Sequence, residues 1–315
     1  MIPRQFHFVF GLRDQPEPLH LVFYLCLESC RQLHPSSQIV VHCHHPPYGP
    51  YWDLIRDTPA FRVVPVNPNP FVASYRYRDR VLNRYRYAHH ADVIRLDALI
   101  KYGGVYADID TLFLNPMPSR LLEHSFVIGR EDDVVCHRTG RSQPSLCNAL
   151  LASEPSASFA VAWRQRLCDA FDGSWSNHSG FLAYALSQEF PEQVHVEPSR
   201  TFYRHGFRPP AVRMLLEGLD NDFDGMVSMH LWSHLWWDRR RRDFSRVHAG
   251  LLTEDYIRTV DTTFTIAARR FLPSPDDARC RAASAISSRG AHLSGARSWL
   301  ASLATRRRGR LWQNT

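Results

Sequence analysis

The stretch His89–Asn115, HHADVIRLDALIKYGGVYADIDTLFLN, decides the fold and the chemistry that this chain can carry. Its first half has apolar residues at helical spacing, and the glycine pair at positions 103 and 104 stands where a left-handed helix stop is expected. A short predicted strand follows and ends in Asp108 and Asp110, with the residue between them buried on the opposite side. Because side chains alternate along a strand, the two carboxylates are expected on one side of it. Like charges this close repel each other unless a cation lies between them, so the pattern predicts a site for a hard divalent ion.

Other segments give the rest of the expected architecture. The patterns predict helices over Leu19–Leu33, Phe159–Phe171 and Thr253–Phe271, and strands over Gln38–Cys43 and Phe61–Val66. Helices and strands that alternate along a chain of 315 residues indicate an α/β protein with one large domain.

The run around the acidic pair resembles the sugar-binding segment of the glycosyltransferases with a DXD motif, in the family 32 group. The family pattern is a helix with Asp-x-x-Arg, followed by Tyr-Gly-Gly-x-Tyr-x-Asp-x-Asp, and it is present without a gap from Asp92 to Asp110. A lone Asp-x-Asp occurs by chance in many chains, whereas the complete pattern is far more specific. The resemblance implies a GT-A fold, a Rossmann-like mixed α/β sheet flanked by helices in a single catalytic domain.

The resemblance also implies roles for individual residues. Asp108 and Asp110 would be catalytic and would bind Mn²⁺ or Mg²⁺, and Asp108 would also reach the ribose of the donor. Asp92 and Arg95, which share one helix face, would bind hydroxyls of the donor hexose. The alternative for that pair is an exposed ion pair worth only about 0.3–0.5 kcal/mol. Asn148 lies in a segment that resembles the family's Asn-Ala segment beside the donor sugar.

The alternation of residues 6–10 predicts the first strand of the chain, and the end of this strand is expected to contact the donor nucleotide. In an open α/β sheet, the carboxyl end of the first strand borders the ligand crevice. By resemblance, Phe8, Val9 and Phe10 would bind the uracil base there. The alternative is that these residues belong to the core, which is the preferred interpretation for Phe6.

A second chemical signal lies in Gly225–Trp237, where a His-x-Trp triplet at positions 230–232 matches one in the family. Alternation places His230 on the polar side of a predicted strand. Imidazole is a suitable extra ligand for Mn²⁺, a borderline metal with mostly oxygen ligands. The predicted metal ligands are therefore Asp108, Asp110 and His230. His234 is the rival ligand, and a histidine packed among tryptophans is the structural alternative.

Three other groups of polar residues carry weaker signals. Histidines at positions 42, 44 and 45 have no acidic partner at regular spacing, so solvated histidines in a loop are expected there. The acids of Glu131–Asp133 follow a predicted strand, and a solvated loop is again the preferred interpretation. In Ser176–Gly180, the glycine fits the family's Thr-Gly-Pro pattern while Phe181 departs from it, so the acceptor contact stays open.

Charge is concentrated at the end of the chain. Of the net charge of +7, the 8 arginines and 2 aspartates beyond Pro273 contribute +6. A nearly neutral body argues against nucleic-acid binding. The catalytic domain is expected over residues 1–272, and the tail over 273–315 is expected to be disordered or a helix that contacts anionic membranes.

The cellular setting is predicted from the cysteines and from the N-terminal sequence. Seven cysteines without metal-type spacing indicate free thiols in a reducing compartment. No secretory signal is visible. A cytoplasmic protein, with peripheral contact at the inner membrane face, is expected.

The expected activity is metal-dependent transfer of a hexose from a nucleotide sugar, with UDP-sugar expected, to a glycan, lipid-linked or other hydroxyl acceptor. The resemblance implies retention of the anomeric configuration, and the residues leave open whether an enzyme nucleophile or a same-face attack achieves it. Two alternatives remain. One is another metal-dependent sugar-nucleotide enzyme, a hydrolase or a nucleotidyltransferase, and the other is a non-catalytic sugar-binding protein.

Overall fold

The computed structural model describes residues 1–136 and 138–274, which fold into strands and helices that alternate along the chain. The strands of this part are β1 (Gln5–Phe10), β2 (Gln38–Cys43), β3 (Phe61–Pro65), β4 (Gly104–Ala107), β5 (Thr111–Phe113), β6 (Phe126–Arg130), β7 (Val134–Val135), β8 (Ser142–Gln143), β9 (Leu146–Ser153), β10 (His195–Glu197) and β11 (Ser228–His230). Its α-helices are α1 (Leu21–Leu33), α2 (Pro50–Asp53), α3 (Pro70–Ser74), α4 (Arg80–Arg84), α5 (Arg86–Tyr102), α6 (Ser119–Leu122), α7 (Ser158–Ala170), α8 (Leu182–Glu189), α9 (Ser199–Tyr203), α10 (Pro209–Leu216), α11 (Glu254–Thr259) and α12 (Thr263–Ala268).

A seven-stranded sheet in the order β10-β6-β9-β4-β1-β2-β3 forms the centre of the fold. Every neighbouring pair in it is parallel except the two pairs that β9 makes, with β4 and with β6. Apolar residues of α1, α10 and α12 pack against one face of this sheet, and those of α5, α7 and α8 pack against the other. The expected α/β class, with a mixed sheet flanked by helices, is confirmed.

The strongest local patterns are found where they were expected. β2 has the predicted bounds, and β3 ends one residue earlier than predicted. The glycine stop is confirmed, because Gly103 caps α5 with a φ of 64° and donates its N–H to the carbonyl of Leu99. Gly104 has a φ of 101°, and a Cβ there would lie 2.4 Å from the carbonyl oxygen of Gln5. A side chain at this position would force β4 away from β1.

Two predictions about single elements are wrong. The strand before the acidic pair ends at Ala107, so both aspartates lie in a turn and not on the strand. The turn is closed by the N–H of Thr111, which donates to the carbonyl of Asp108 at 2.9 Å. The residue between the aspartates, Ile109, is therefore half-buried and not buried opposite them.

The last predicted helix, Thr253–Phe271, is two helices. α11 ends at Thr259, and α12 begins after Thr262. Thr262 and Thr265 form a reciprocal capping box, in which each side chain accepts from the other residue's backbone N–H. A capping box satisfies two N–H groups that would otherwise be orphaned, so it favours a new helix start over a continuous helix.

A two-stranded ribbon positions the second chemical signal. β11 pairs with β5 in antiparallel fashion, and His230 stands opposite Thr111 in the register. Since Thr111 directly follows the acidic turn, the ribbon brings His230 to the same place although it comes late in the chain.

The predicted tail at 273–315 lies outside the described residues except for its first two. At the boundary, an Arg258 guanidinium nitrogen donates to the carbonyl of Pro273 at 3.2 Å. In the described ranges, no helix combines the length and the apolar character that crossing a membrane requires. The six cysteines of these ranges are all free thiols.

Candidate active site

The acidic turn and His230 form one cluster at the carboxyl end of β4. One ligand atom from each of Asp108, Asp110 and His230 lies within 4.8 Å of the others. His230 Nδ1 is 3.6 Å from Asp110 Oδ1, which is too long for a hydrogen bond. The other oxygen of Asp110 accepts from the backbone N–H of Ser233 at 2.8 Å. Two carboxylates and an imidazole that face each other without bonding are a donor set that suits Mn²⁺.

The two carboxylates of the cluster have different environments. Burial alone would raise the pKa of Asp110, but His230 and the N–H of Ser233 outweigh burial and lower that pKa. Burial raises the pKa of Asp108, against the opposing effect of the Arg95 guanidinium. Asp110 is therefore the carboxylate that its own neighbours hold in the ionised form.

Arg95 connects the acidic turn to the helix before it. Its guanidinium lies 3.0 Å from Asp92 Oδ1 and 3.3 Å from Asp108 Oδ1. It also donates to the carbonyl of Asn148 at 2.5 Å, and it lies 4.6 Å above the Tyr106 ring. With 4% of its surface exposed, Arg95 does not form the exposed ion pair that was the alternative for this helix face. The guanidinium of Arg95 therefore fixes both the carboxylate of Asp92 on α5 and that of Asp108 in the turn.

Asp92 is held on both of its oxygens. The side-chain amide of Asn148 donates to Oδ1 at 2.8 Å, and Nε2 of His178 donates to Oδ2 at 2.8 Å. Burial would raise the pKa of Asp92, but Arg95 and His178 hold it well below the ordinary value. Asp92 is therefore a buried, ionised carboxylate in a fixed orientation, which suits it to accept hydrogen bonds from hydroxyl groups.

His178 is the site residue that the sequence did not single out. It lies in a π-helical turn, Asn177–Phe181, between α7 and α8, and it is completely buried. The indole N–H of Trp163 donates to its carbonyl, which fixes the turn against α7. Its Nδ1 has no hydrogen-bond partner among the described residues. π-Helical turns occur frequently at functional sites, but no periodic pattern links this histidine to Asp92.

Glu131 differs from its predicted place in a solvated loop. The expectation is confirmed for the exposed Asp132 and Asp133, but Glu131 is half-buried and accepts from the Ser145 hydroxyl at 2.6 Å. Burial raises its pKa to about 7. A Cβ at Gly180 would lie 2.1 Å from the Ser145 hydroxyl oxygen, so the glycine lets the π-helical turn pack against this pair.

Comparison with known proteins identifies the segment that carries these residues. Residues 22–128 match the family model of the glycosyltransferase sugar-binding region containing a DXD motif. This segment includes Asp92, Arg95 and the acidic turn, so over these residues the chain is similar to the glycosyltransferases with a DXD sugar-binding region. This match confirms the resemblance over the segment that carries the acidic turn, and the mixed sheet agrees with the α/β class that the resemblance implies.

Similar proteins extend over more of the chain. Glucan organizing enzyme 1 of Cryptococcus neoformans var. grubii is 28% identical over 287 residues, which cover 88% of this chain and 72% of the relative. Among solved structures, the galactosyltransferase LgtC in complex with donor and acceptor sugar analogs is 16% identical, with a TM-score of 0.43, and 88% of this chain and 99% of that one are covered. The glycosyltransferase GlyE of Streptococcus pneumoniae TIGR4 is 12% identical, with a TM-score of 0.42, and the shares covered are 86% and 63%.

The strand predicted to bind the base ends beside the acidic turn. β1 is the neighbour of β4 in the sheet. Phe8 is completely buried and Val9 is 7% exposed, so their side chains lie in the core, as does that of Phe6, for which this was predicted. Phe10 is half-buried, and its ring lies 5.5 Å from that of Phe23. Of the three residues predicted to bind the base, only Phe10 has a side chain with substantial exposure.

The other histidines considered from the sequence have different surroundings. His42 is buried, and its Nε2 lies 2.9 Å from Nδ1 of His7. His44 Nδ1 lies 3.1 Å from the carbonyl of Val66. His234, the rival ligand, stacks on Trp175 with 4.8 Å between ring centroids. In the part of the chain that the structure describes, His234 is not a member of the cluster with the two aspartates.

Proposed function

We propose that this protein is a glycosyltransferase that moves a hexose from a nucleotide sugar to a hydroxyl group of a glycan or lipid-linked acceptor. The proposed donor is a UDP-sugar. The reaction is metal-dependent and proceeds with retention of the anomeric configuration. One observation carries the proposal. Arg95 joins the cluster of Asp108, Asp110 and His230 to the Asp92–Asn148 pair. A metal site for a diphosphate and a polar site for sugar hydroxyls are thereby adjacent.

The three clustered residues would bind Mn²⁺ or Mg²⁺, and their donor atoms fit such an ion. Bound there, the ion would act as a Lewis acid that stabilises the charge of the departing diphosphate. The N–H of Ser233 fixes the orientation of Asp110, and Arg95 fixes that of Asp108. These contacts keep both carboxylates in place without a rearrangement during the reaction.

The residues behind the cluster would orient the donor hexose. Asp92 is ionised. Its Oδ1 already contacts the Asn148 amide and the Arg95 guanidinium, whereas Oδ2 contacts only His178 among the bonds described above and keeps capacity to accept from a hydroxyl. The Asn148 amide donates its N–H to Asp92, which leaves its own oxygen able to accept from a second hydroxyl. Two acceptors on adjacent elements can fix the rotation of a sugar ring about the bond that breaks.

Two finer parts of the proposal have separate support. A role in polysaccharide assembly is supported by the name of the Cryptococcus relative, Glucan organizing enzyme 1. A peripheral contact of the tail with anionic lipid at the cytoplasmic face is supported by the charge of +6 beyond Pro273.

A panel experiment tests the proposal. The purified protein is incubated with sugar nucleotides and Mn²⁺, with and without acceptor glycans, and the released nucleotide and the product's anomeric configuration are measured. Transfer that depends on the acceptor, with retention, supports the proposal. Hydrolysis that ignores the acceptor indicates a hydrolase, pyrophosphate exchange indicates a nucleotidyltransferase, and binding without turnover indicates a sugar-binding protein.

A further inference from the structure

A cavity of about 240 Å³ opens next to the loop that follows α7. Its walls combine apolar side chains with polar ones. Its lining includes Trp175, Phe181, Val135, Arg138, Asp172 and Asn177. Pockets for drug-sized ligands measure about 300–1,000 Å³, so this cavity suits a smaller unit such as one sugar ring.

Trp175 is the aromatic wall of the cavity and is held in a fixed orientation. Its ring stacks on the His234 ring at 4.8 Å between centroids, with 26° between the planes. Tyr85 meets it edge to face at 5.7 Å. Trp175 nevertheless keeps 39% of its surface exposed, and it lines the cavity. A large aromatic side chain that is fixed by its neighbours and still open to solvent is suited to bind a ligand at little cost in side-chain entropy.

The Trp175 wall is connected to the metal cluster. His234 directly follows Ser233, whose N–H donates to Asp110 at 2.8 Å. Burial lowers the pKa of His234 to about 4, so its ring is neutral at pH 7 and adds no positive charge beside the metal site. A ligand on Trp175 would therefore be separated only by the His234 ring from the loop that orients Asp110.

The polar wall of the cavity is connected to the donor side of the site. Asn177 lines the cavity and directly precedes His178, which donates to Asp92 at 2.8 Å. The cavity is thus linked through Trp175 and His234 to the half predicted to bind the metal, and through Asn177 and His178 to the half predicted to bind the donor hexose.

The chemistry of the walls selects the ligand class. A pyranose ring has an apolar face of C–H groups and a rim of hydroxyls, which match an aromatic face and a polar rim. Arg138 and Asp172 have opposite charges, so the cavity does not favour a polyanion. A lipid chain in the cavity would take the exposed charges of Arg138 and Asp172 out of water, which is costly.

We propose that this cavity binds a hexose unit of the acceptor glycan, next to the unit that receives the transferred sugar. The acceptor is then a neutral oligosaccharide and not a single sugar. This inference rests on the proposed function, because it assigns the acceptor class of the same site.

Binding of oligosaccharide ladders tests the inference. Gluco-, galacto- and manno-oligosaccharides of one to four units are titrated calorimetrically into the full chain with UDP and Mn²⁺. For at least one ladder, affinity is expected to rise about tenfold between one unit and two, which corresponds to about 1.4 kcal/mol. Trp175→Ala is expected to abolish this gain while UDP binding stays unchanged. Tyr48→Ala, at a surface aromatic of similar exposure (40%), is the matched control and is expected to keep the gain.

A second variant blocks the cavity and leaves Trp175 in place, because the Trp175 ring also lies 6.1 Å from that of His89 and its removal could disturb that ring. Val135→Trp enters the cavity from the opposite wall, at a residue that is 58% exposed. It is expected to abolish the gain as Trp175→Ala does. The inference is overturned if no ladder shows a length-dependent gain, or if either cavity variant keeps it. Failure of the proposed function is a different result, namely no metal-dependent binding of UDP by the unmodified chain.

Discussion

His178 Nε2 lies 2.8 Å from Asp92 Oδ2, although 86 residues separate the two in the chain. The histidine is completely buried, so a ligand in the site would not touch it directly. Asn148 holds the other oxygen of the same carboxylate. His178 therefore positions Asp92, the carboxylate proposed to bind the donor hexose.

The first prediction concerns this positioning contact. His178→Ala is expected to lower kcat/KM for the sugar nucleotide by about 5- to 150-fold, because leaving a buried hydrogen-bonding group unsatisfied costs about 1–3 kcal/mol. His178→Gln, which restores a donor near Asp92, is expected to recover part of the loss. UDP affinity should hardly change. The exposed His44→Ala is the control. An equal loss of UDP affinity in His178→Ala would show that the contact merely supports the fold.

The second prediction separates hexose binding from nucleotide binding. Asp92→Ala is expected to reduce sugar-nucleotide turnover at least tenfold and to leave the affinity for free UDP nearly intact, because Asp92 is predicted to meet the hexose and not the base. Asp97→Ala is a matched control on the same helix, where the carboxylate is exposed and pairs with Arg164. Turnover and UDP calorimetry are compared for both variants. Parallel loss of both quantities in Asp92→Ala would contradict the prediction.

The third prediction concerns the metal. Asp110→Ala is expected to abolish Mn²⁺-dependent UDP binding and to lower turnover at least a hundredfold, because one predicted ligand is lost and the charge of the diphosphate is less well compensated. Asp57→Ala, at an exposed carboxylate paired with Arg56, serves as the control. Calorimetry with and without Mn²⁺ measures the affinity for UDP. Full turnover of the unmodified enzyme in excess chelator would refute metal dependence.

The fourth prediction uses the raised pKa of Glu131, about 7 in the folded protein against an ordinary value of 4.5. As the pH rises through this window, the unfolded chain loses the proton first, so the contribution of Glu131 to folding is complete below pH 4.5 and is lost by about pH 8. The free energy of unfolding of Glu131→Gln is compared with that of the unmodified chain at each pH. This difference is expected to shift in favour of the variant by about 1–3 kcal/mol between pH 5 and pH 8.

Denaturant unfolding at the two pH values measures this gain. The control is Asp133→Asn, which removes an exposed charge two residues away. An identical pH dependence in Glu131→Gln and the unmodified chain would mean that the carboxyl group is solvated when folded.

The segment from α5 to β4 could be predicted from the sequence because its signals are local. Helical spacing, a glycine pair and two nearby carboxylates are all properties of consecutive residues. The sequence pattern predicts a strand at Asp108 and Asp110, whereas the structure has a turn there. Both a strand and this turn bring the two carboxylates close together, so the spacing of the two residues does not distinguish them. What distinguishes the two is the bond from the N–H of Thr111 to the carbonyl of Asp108, which a pattern of residue types does not encode.

The partners of the site residues could not be predicted, since they depend on contacts between distant elements. Asn148 was identified by its resemblance to a family segment, but its bond to Asp92 requires that β9 lie beside β4. Glu131 was assigned to a solvated loop because an acid after a strand is usually exposed. Its burial is caused by Ser145 and by the close approach of Gly180, both from later parts of the chain.

The position of β9 also limits how far the chain can be shortened before the sheet is incomplete. β9 lies between β4 and β6 in the sheet but follows both in the chain, so during synthesis a gap in the sheet stays open until β9 emerges. Ser233, whose N–H orients Asp110, lies 123 residues after Asp110 in the chain. A fragment limited to residues 22–128 would carry the family motif with an unpaired strand edge and with its acidic turn unsupported. Such a fragment should associate with other chains and should not bind nucleotide sugars.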